Sequence, residues 1–226
     1  MGRGPASQAA RDASESLSAR AAGLAAIAGY LLTIAVFEIT RRAAGFPEPS
    51  DFALSPAALA AGKAWLLLTS ALLVSGPPLL ELLGLGLAIG VLVRREGPLS
   101  FWRAGFAGHL GATLLAYAGV GVLWVVSRPT VAPVVHDPDY GVSAVWLGVL
   151  GAVFASIWSE RRTQSIGALN RAALGLCALA ALIGTVFFDP LPAIEHALSF
   201  LIGAGVQIAA TSRRTASGAA AASAIP

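Results

Sequence analysis

The sequence predicts an all-α membrane protein built as a bundle of six transmembrane helices. Two observations support this fold class. The 226 residues are 56% hydrophobic and 12% charged, with a mean hydropathy of +0.74, a balance that no soluble domain carries on its surface. Six segments also approach the roughly 20 apolar residues that a span needs. They lie at about 22–40, 77–93, 99–126, 141–158, 167–187 and 192–211.

The first span follows a polar leader, and we expect residues 1–21 to form a cytoplasmic tail. The segment after the span reads "RRAAGF" rather than a small-residue cleavage site, so we interpret this span as an uncleaved anchor. Residues 22–211 form the predicted six-span membrane domain. Residues 212–226, with the sequence "SRRTASGAAAASAIP", are expected to be a disordered cytoplasmic tail.

The second span presents a boundary problem, because a mostly apolar stretch runs from Ala64 to Val93 and is too long for a single span. Pro77 and Pro78 interrupt the run and should end any helix that arrives from Ala64. We therefore expect residues 64–75 to be a separate helical piece, at the interface or buried in protein, and the span to begin near Pro77.

The arrangement of basic residues predicts the orientation. With the N-terminus inside, eleven arginines lie in inner loops or at inner helix ends, against four basic residues outside, so we expect both termini in the cytoplasm and the protein in the plasma membrane. Because these charges are scattered between apolar runs, the net charge of +3 does not indicate a nucleic-acid partner. The inner set is Arg3, Arg11, Arg20, Arg94, Arg95, Arg103, Arg161, Arg162, Arg171, Arg213 and Arg214, and the outer set is Arg41, Arg42, Lys63 and Arg128.

Polar residues inside the spans are functional candidates, because burying each one costs free energy. His109 falls near the middle of the third span, where a packed histidine bonded to a backbone group or hydroxyl is the simplest interpretation. His136 lies in an outer loop and is expected to be solvated. No fourth ligand accompanies His136, Asp137 and Asp139, so we predict no metal site.

Ser143 and His196 form a more specific candidate. The fourth and sixth spans both enter the membrane from outside, with Ser143 in the first turn of one and His196 about one turn into the other. At 1.5 Å per residue both side chains lie roughly 5–8 Å below the outer boundary. A histidine within hydrogen-bond reach of a serine is the minimal constellation for a nucleophile, although the two helices need not touch.

Several motifs resemble the rhomboid family of intramembrane serine proteases. "GVSAVWLGVLGA" (141–152) is similar to the family's nucleophile helix G-x-S-[GA], and "EHALSFLIGAG" (195–205) is similar to H-x-G-G-x-x-A-G. "KAWLLLTSALL" (63–73) and "GVLVRREGPLSF" (90–101) resemble the segments on either side of the second span. The resemblance implies a six-helix rhomboid-like bundle in which Ser143 is the nucleophile and His196 the base.

This resemblance has departures that bear on activity. Active rhomboids carry H-x-x-x-N at the start of the second span, which helps to hold the oxyanion, whereas this chain has no histidine before His109 and only one asparagine, Asn170. Backbone N–H groups at Gly141 and Ser143 would then have to supply the oxyanion donors. No aspartate is expected to orient His196, and Glu195 should point about 100° away around the helix, so the site would be a dyad.

The sequence leaves three functions open. The first is a rhomboid-type serine protease that cleaves transmembrane protein substrates through the Ser143–His196 dyad, without a cofactor. The second is a catalytically silent relative that binds membrane clients, which the missing histidine and asparagine favour. The third is a haem-binding or transport bundle that uses His109 and His196. Cys177 lies in an apolar run, can form no internal disulfide and is predicted to be a buried hydrophobic residue.

Overall fold

The computed structural model describes residues 5–45, 48–161, 167–186 and 189–223, and within these ranges the regular structure is helical. Predicted inner-loop residues Arg3 and Arg162 and the extreme C-terminus lie outside the described residues. The helices are α1 (Pro5–Ala44), α2 (Pro56–Ala60), α3 (Leu66–Thr69), α4 (Pro78–Glu96), α5 (Pro98–Phe101), α6 (Ala107–Val126), α7 (Arg128–Val131), α8 (Val142–Arg161), α9 (Ala168–Val186) and α10 (Pro190–Ser223).

Four stretches of the described chain are long and apolar enough to cross a membrane: Ser14–Ala44, Pro98–Val126, Val142–Glu160 and Pro190–Ser217. The chain is therefore an all-helical membrane protein. The predicted spans 77–93 and 167–187 correspond to α4 and α9, which do not meet the same criterion. For α4 the physical reason is charge, since Glu81, Arg94 and Arg95 all fall within its nineteen residues.

The helix boundaries around the second predicted span lie where Pro77 and Pro78 predict them. α4 begins at Pro78, with Pro77 as its N-cap in an extended conformation. The preceding piece is helical but short, because α3 covers Leu66–Thr69 and a 3-10 turn covers Ser70–Leu72. This piece lies over one end of the bundle and positions backbone carbonyls against the start of α8.

The two predicted tails differ from the observed helices. α1 already begins at Pro5, and α10 continues to Ser223, so residues 212–223 are helical rather than irregular. A π-helical turn, Trp102–Phe106, joins α5 to α6 and makes the third predicted span one continuous rod. Residues 224–226 of the predicted C-terminal tail lie outside the described residues.

α8 is the central helix of the bundle. Of its most apolar 18 residues, 72% are buried inside the protein, whereas the corresponding share is 22–33% for the other three span-length helices. Its partners approach at glycines: a Cβ at Gly151 would meet the Phe200 carbonyl, and one at Gly203 would meet the Gly148 carbonyl. Because α8 and α10 touch backbone to backbone, their relative height is tightly constrained, and with it the heights of the side chains at their ends.

The two ends of the bundle differ in their polar groups. The arginine end, defined by Arg95, Arg103 and Arg214, carries ion pairs between helix ends, such as Arg95 with Glu160 (2.7 Å). The serine end, defined by Ser143, contains buried polar side chains supported by the α3 segment and by the loop before α8. Cys177 is buried on α9, as predicted.

Candidate active site

The site begins at the N-terminus of α8, where the loop that contains Tyr140 and Gly141 enters the bundle. The Gly141 N–H donates to the Ser70 carbonyl (2.8 Å), and the Val142 N–H donates to the Leu73 carbonyl (3.3 Å). These bonds tie the first turn of α8 to the segment 66–73 and leave Ser143 half-buried, next to the buried Val142. The sequence therefore places a serine where its hydroxyl faces the end of the bundle.

Ser143 and His196 are in contact. The Ser143 Oγ lies 2.9 Å from the His196 Nε2, although the two residues are far apart in sequence. The predicted proximity is confirmed. α8 begins at Val142, one residue later than the expected start at or just before Gly141. His196 is 3% exposed, whereas Ser143 is partly open, so the hydroxyl can be approached from outside while the imidazole cannot.

The hydroxyl of Ser143 has two acceptors for its single proton. Besides the imidazole, the Tyr140 carbonyl lies 3.2 Å from Ser143 Oγ. Donation to His196 Nε2 is the arrangement that prepares proton transfer, and the distance of 2.9 Å is within the range that such a transfer requires. Ser143 therefore needs only a rotation of its O–H bond to reach the reactive geometry.

Two carboxyl groups lie beside this pair, which the sequence did not predict. Asp139 and Glu195 line the same cavity of about 60 Å³ as Ser143 and His196. Their carboxyls are hydrogen-bonded to each other, and the Tyr117 hydroxyl donates to Asp139 Oδ2 (3.5 Å). The prediction that Glu195 points away is wrong, and Asp139 lies beside His196, where no aspartate was expected to be placed to orient the imidazole.

A backbone contact explains why Asp139 is in the site. The Asp139 N–H donates to the Leu54 carbonyl (2.7 Å) in an isolated antiparallel bridge, which draws the "DPDY" loop into the bundle. Asp139 is 9% exposed as a result. Burial raises the pKa of the Asp139 carboxyl above its ordinary value, and the imidazoles of His109 and His196 offset only part of that shift.

The backbone donors assigned to the oxyanion are only partly available. The Gly141 N–H, predicted as a donor, is already bonded to the Ser70 carbonyl. The Ser143 N–H lies in the first turn of α8, where N–H groups have no intrahelical acceptor and the helix dipole is positive. Stabilisation of an oxyanion by the backbone would therefore depend on the Ser143 N–H rather than on the Gly141 N–H.

His109 and His136 are not part of the Ser143 site. His109 is fully buried, and its Nε2–H donates to the Leu67 carbonyl (2.8 Å), with Ser70 Oγ 3.5 Å away. This is the packed histidine that the sequence predicts, and its bonded nitrogen is not open to haem iron. His136 is exposed, also as predicted. Among the described residues, no three His, Cys, Asp or Glu side chains are grouped to hold a metal.

The chain matches no protein-family model, no curated protein and no solved structure.

Proposed function

We propose that this protein is an intramembrane serine protease that resembles the rhomboid family and cleaves transmembrane protein substrates in a six-span bundle with cytoplasmic termini. The observation that carries the proposal is the 2.9 Å contact between Ser143 Oγ and His196 Nε2. A second supports it: both residues lie within two turns of the ends of span-length helices, so the nucleophile is near the membrane boundary. At that depth water can reach an acyl-enzyme.

The reaction starts with transfer of the Ser143 hydroxyl proton to His196 Nε2. The Ser143 oxygen attacks a substrate carbonyl carbon, and the carbonyl electrons move onto oxygen. Collapse of this oxyanion breaks the peptide C–N bond, and His196 returns its proton to the leaving amine. Water, deprotonated by His196, then hydrolyses the ester on Ser143 and restores the hydroxyl.

The carboxyl pair supplies charge next to the imidazole. Two carboxyls in hydrogen-bond contact cannot both ionise readily, so Asp139 and Glu195 share a proton and carry at most one negative charge. That charge lies within electrostatic range of His196 and stabilises the imidazolium that forms during attack. Asp139 acts through His196 and is a positioning residue.

The oxyanion receives fewer donors than in a site with side-chain amides or imidazoles. Loss of one donor slows acyl transfer by about 10² to 10³. The Ser143 N–H and the dipole of α8 remain. We therefore expect slow turnover with substrates whose own helix unwinds easily, since the cavity of about 60 Å³ holds little more than water and the substrate must widen it.

The experiment is labelling of the detergent-purified full chain with a fluorophosphonate probe, which phosphonylates an activated serine. Wild type should be labelled, and Ser143→Ala and His196→Ala should not be. Ser127→Ala is the matched control, because Ser127 is a serine at the same end of the bundle whose hydroxyl bonds Thr130 rather than a histidine. Equal labelling of wild type and Ser143→Ala would contradict the proposal.

A catalytically silent membrane-client receptor is the second candidate. Two observations favour it. The only asparagine in the sequence, Asn170, lies on α9 rather than at the start of the second span, and the Gly141 N–H already donates to the Ser70 carbonyl and is not available to an oxyanion. Cleavage of a single-span reporter in proteoliposomes separates the two candidates. Cleavage by wild type that Ser143→Ala abolishes supports the protease, whereas reporter capture by both proteins without cleavage supports the receptor.

A further inference from the structure

A groove at the arginine end has no part in the Ser143–His196 chemistry. It has a volume of about 630 Å³ and lies between the start of the Pro98–Val126 helix and residues 206–214 of α10. We call it the arginine groove, since its polar lining includes Arg103, Arg213 and Arg214. It lies at the opposite end of the bundle from the serine site.

The charge of the arginine groove is unbalanced. Among the described residues that line it, Glu96 alone is acidic, and its Oε2 is paired with Arg214 at 2.6 Å. Neither Arg103 nor Arg213 has an acidic partner within 4.0 Å among the residues that the structure describes. Two guanidinium groups therefore face the groove without a counter-charge from the described part of the chain.

The groove is also amphipathic. Leu99, Val206 and Ala209 form an apolar part of its lining, next to the arginines. Arg103 lies five residues after the start of the Pro98–Val126 span, and Arg213 lies four residues before the end of Pro190–Ser217. At 1.5 Å per residue both are within about 8 Å of the end of a span-length stretch, the depth at which lipid headgroups meet acyl chains, and α10 continues beyond this level to Ser223.

The backbone at Arg103 is unusual. Arg103 lies within the π-helical turn Trp102–Phe106, which carries extra residues per turn compared with an α-helix. Such turns are rare and occur frequently at functional sites. Here the turn directs an arginine towards α10 at a level where the neighbouring positions Ala104 and Gly105 are buried against the bundle.

We propose that the arginine groove binds an anionic phospholipid, with the phosphodiester held by Arg103 and Arg213 and an acyl chain along Leu99, Val206 and Ala209. Guanidinium groups form paired hydrogen bonds with phosphate oxygens, and basic pockets between transmembrane helices bind anionic headgroups. A free phosphate ion could form the same hydrogen bonds with the arginines but has no acyl chain to contact the apolar wall.

Native mass spectrometry of the delipidated full chain tests this proposal. Phosphatidylglycerol should bind with one tight site, and phosphatidylcholine, whose headgroup has no net charge, should not. The Arg103→Gln/Arg213→Gln double variant should bind phosphatidylglycerol about thirtyfold more weakly, or roughly fivefold for each arginine. Both arginines are exposed, so the double variant should fold.

The matched control is Arg20→Gln/Arg94→Gln. It removes two exposed arginines predicted for the same side of the membrane that do not line the groove, and its affinity should stay within about twofold of wild type. Equal weakening in both double variants would show a general charge effect and overturn the site.

Two further arms separate the sources of the phosphate and guard against misfolding. Inorganic phosphate at the lipid's concentration should not displace phosphatidylglycerol, and displacement would overturn the lipid assignment. Ala209→Trp fills the apolar wall without changing charge, so it should also weaken lipid binding. Unchanged binding by Ala209→Trp would contradict the proposed acyl-chain position. None of these results depends on whether Ser143 is reactive.

Discussion

The serine end contains two serine–histidine pairs that differ in one hydrogen bond. Ser143 and His196 are 2.9 Å apart, and Ser70 and His109 are 3.5 Å apart. Both imidazoles are buried, at 3% and 0% exposure. In the second pair, however, His109 Nε2 already donates to the Leu67 carbonyl at 2.8 Å. The same nitrogen therefore cannot accept a proton from Ser70.

Proximity of a serine to a histidine is therefore insufficient to make a nucleophile. A nitrogen that donates to a carbonyl carries its proton, so it cannot act as the base on that side. The Ser70 hydroxyl is also fully buried, whereas Ser143 is partly open beside a cavity. Chemistry is expected only where the accepting nitrogen is unprotonated and the hydroxyl can be approached.

The largest expected effect comes from exchanging the two histidines for alanine. His196→Ala removes the proposed general base and should reduce the rate of fluorophosphonate labelling by about 10² to 10⁴. His109→Ala leaves His196 in place, but it opens a cavity in the core and leaves the Leu67 carbonyl without the hydrogen bond that His109 donates. It should lower the free energy of unfolding by about 2–4 kcal/mol.

Labelling rate and thermal unfolding of both variants, measured in the same detergent, separate these effects. The folded fraction of His109→Ala should label at close to the wild-type rate. If His109→Ala were stable but unreactive, the assignment of a structural role to His109 and a chemical one to His196 would be wrong.

Gly141 links the two pairs and gives the next largest effect. A Cβ at this position would overlap the His109 ring, with Nδ1 at 2.9 Å and Nε2 at 3.0 Å. Gly141→Ala should therefore push His109 away from Leu67 and cost about 1–3 kcal/mol of stability. Gly119→Ala is the matched control, since nothing lies within 4 Å of its Cβ and the change should be neutral or mildly stabilising. Thermal unfolding measures both, and equal behaviour would contradict the packing argument.

The Ser143–His196 contact could be predicted because both residues lie near helix ends. Ser143 is the serine of the only Gly-x-Ser in the sequence, which lies at a span boundary, and His196 follows "DPLP" at another boundary, so counting residues along the spans places both at one depth. Sequence reasoning cannot establish that the two helices touch. That contact depends on Gly151 and Gly203, whose roles depend on which helices become neighbours.

The carboxyl pair was missed for a different reason. Asp139 precedes the span and has the composition of a loop residue, and only the bridge to Leu54 turns it inward. Glu195 adjoins His196 in sequence, and the helical angle between them suggested separate faces. Both side chains nevertheless reach one small cavity, because Asp139 approaches from a third direction and bonds Glu195. The prediction of six spans also went beyond the four span-length helices observed among the described residues. One reason is that Glu81, Arg94 and Arg95, all charged, fall within the nineteen residues of α4.

Asp139 should make stability depend on pH in a way that sharpens the difference between the two pairs. Because burial raises the pKa of Asp139 in the folded state, that state binds more protons than the unfolded chain above about pH 4. The contribution of Asp139 to stability is therefore complete below about pH 4 and is lost as the pH rises towards the folded-state pKa. Asp139→Asn should remove this loss.

The measurement is the Tm of wild type and Asp139→Asn between pH 4 and pH 8. The difference between variant and wild type should shift in favour of the variant as the pH rises. The rate of fluorophosphonate labelling should be lower in Asp139→Asn than in wild type, since the variant lacks the charge that is proposed to stabilise the His196 imidazolium. A difference in Tm that is constant across the range would show that Asp139 does not titrate in the folded protein.

The smallest effect is expected from Ser70→Ala, which tests the inactive pair directly. The Ser70 hydroxyl lies 3.5 Å from both the Leu67 carbonyl and His109 Nε2, so neither contact is a strong hydrogen bond. The bond that matters at this position runs from the Gly141 N–H to the Ser70 carbonyl and survives the substitution. We expect a change in stability below about 1 kcal/mol and unchanged labelling. A tenfold loss of labelling would mean that the Ser70–His109 pair takes part in the reaction, and the contrast between the two pairs would fail.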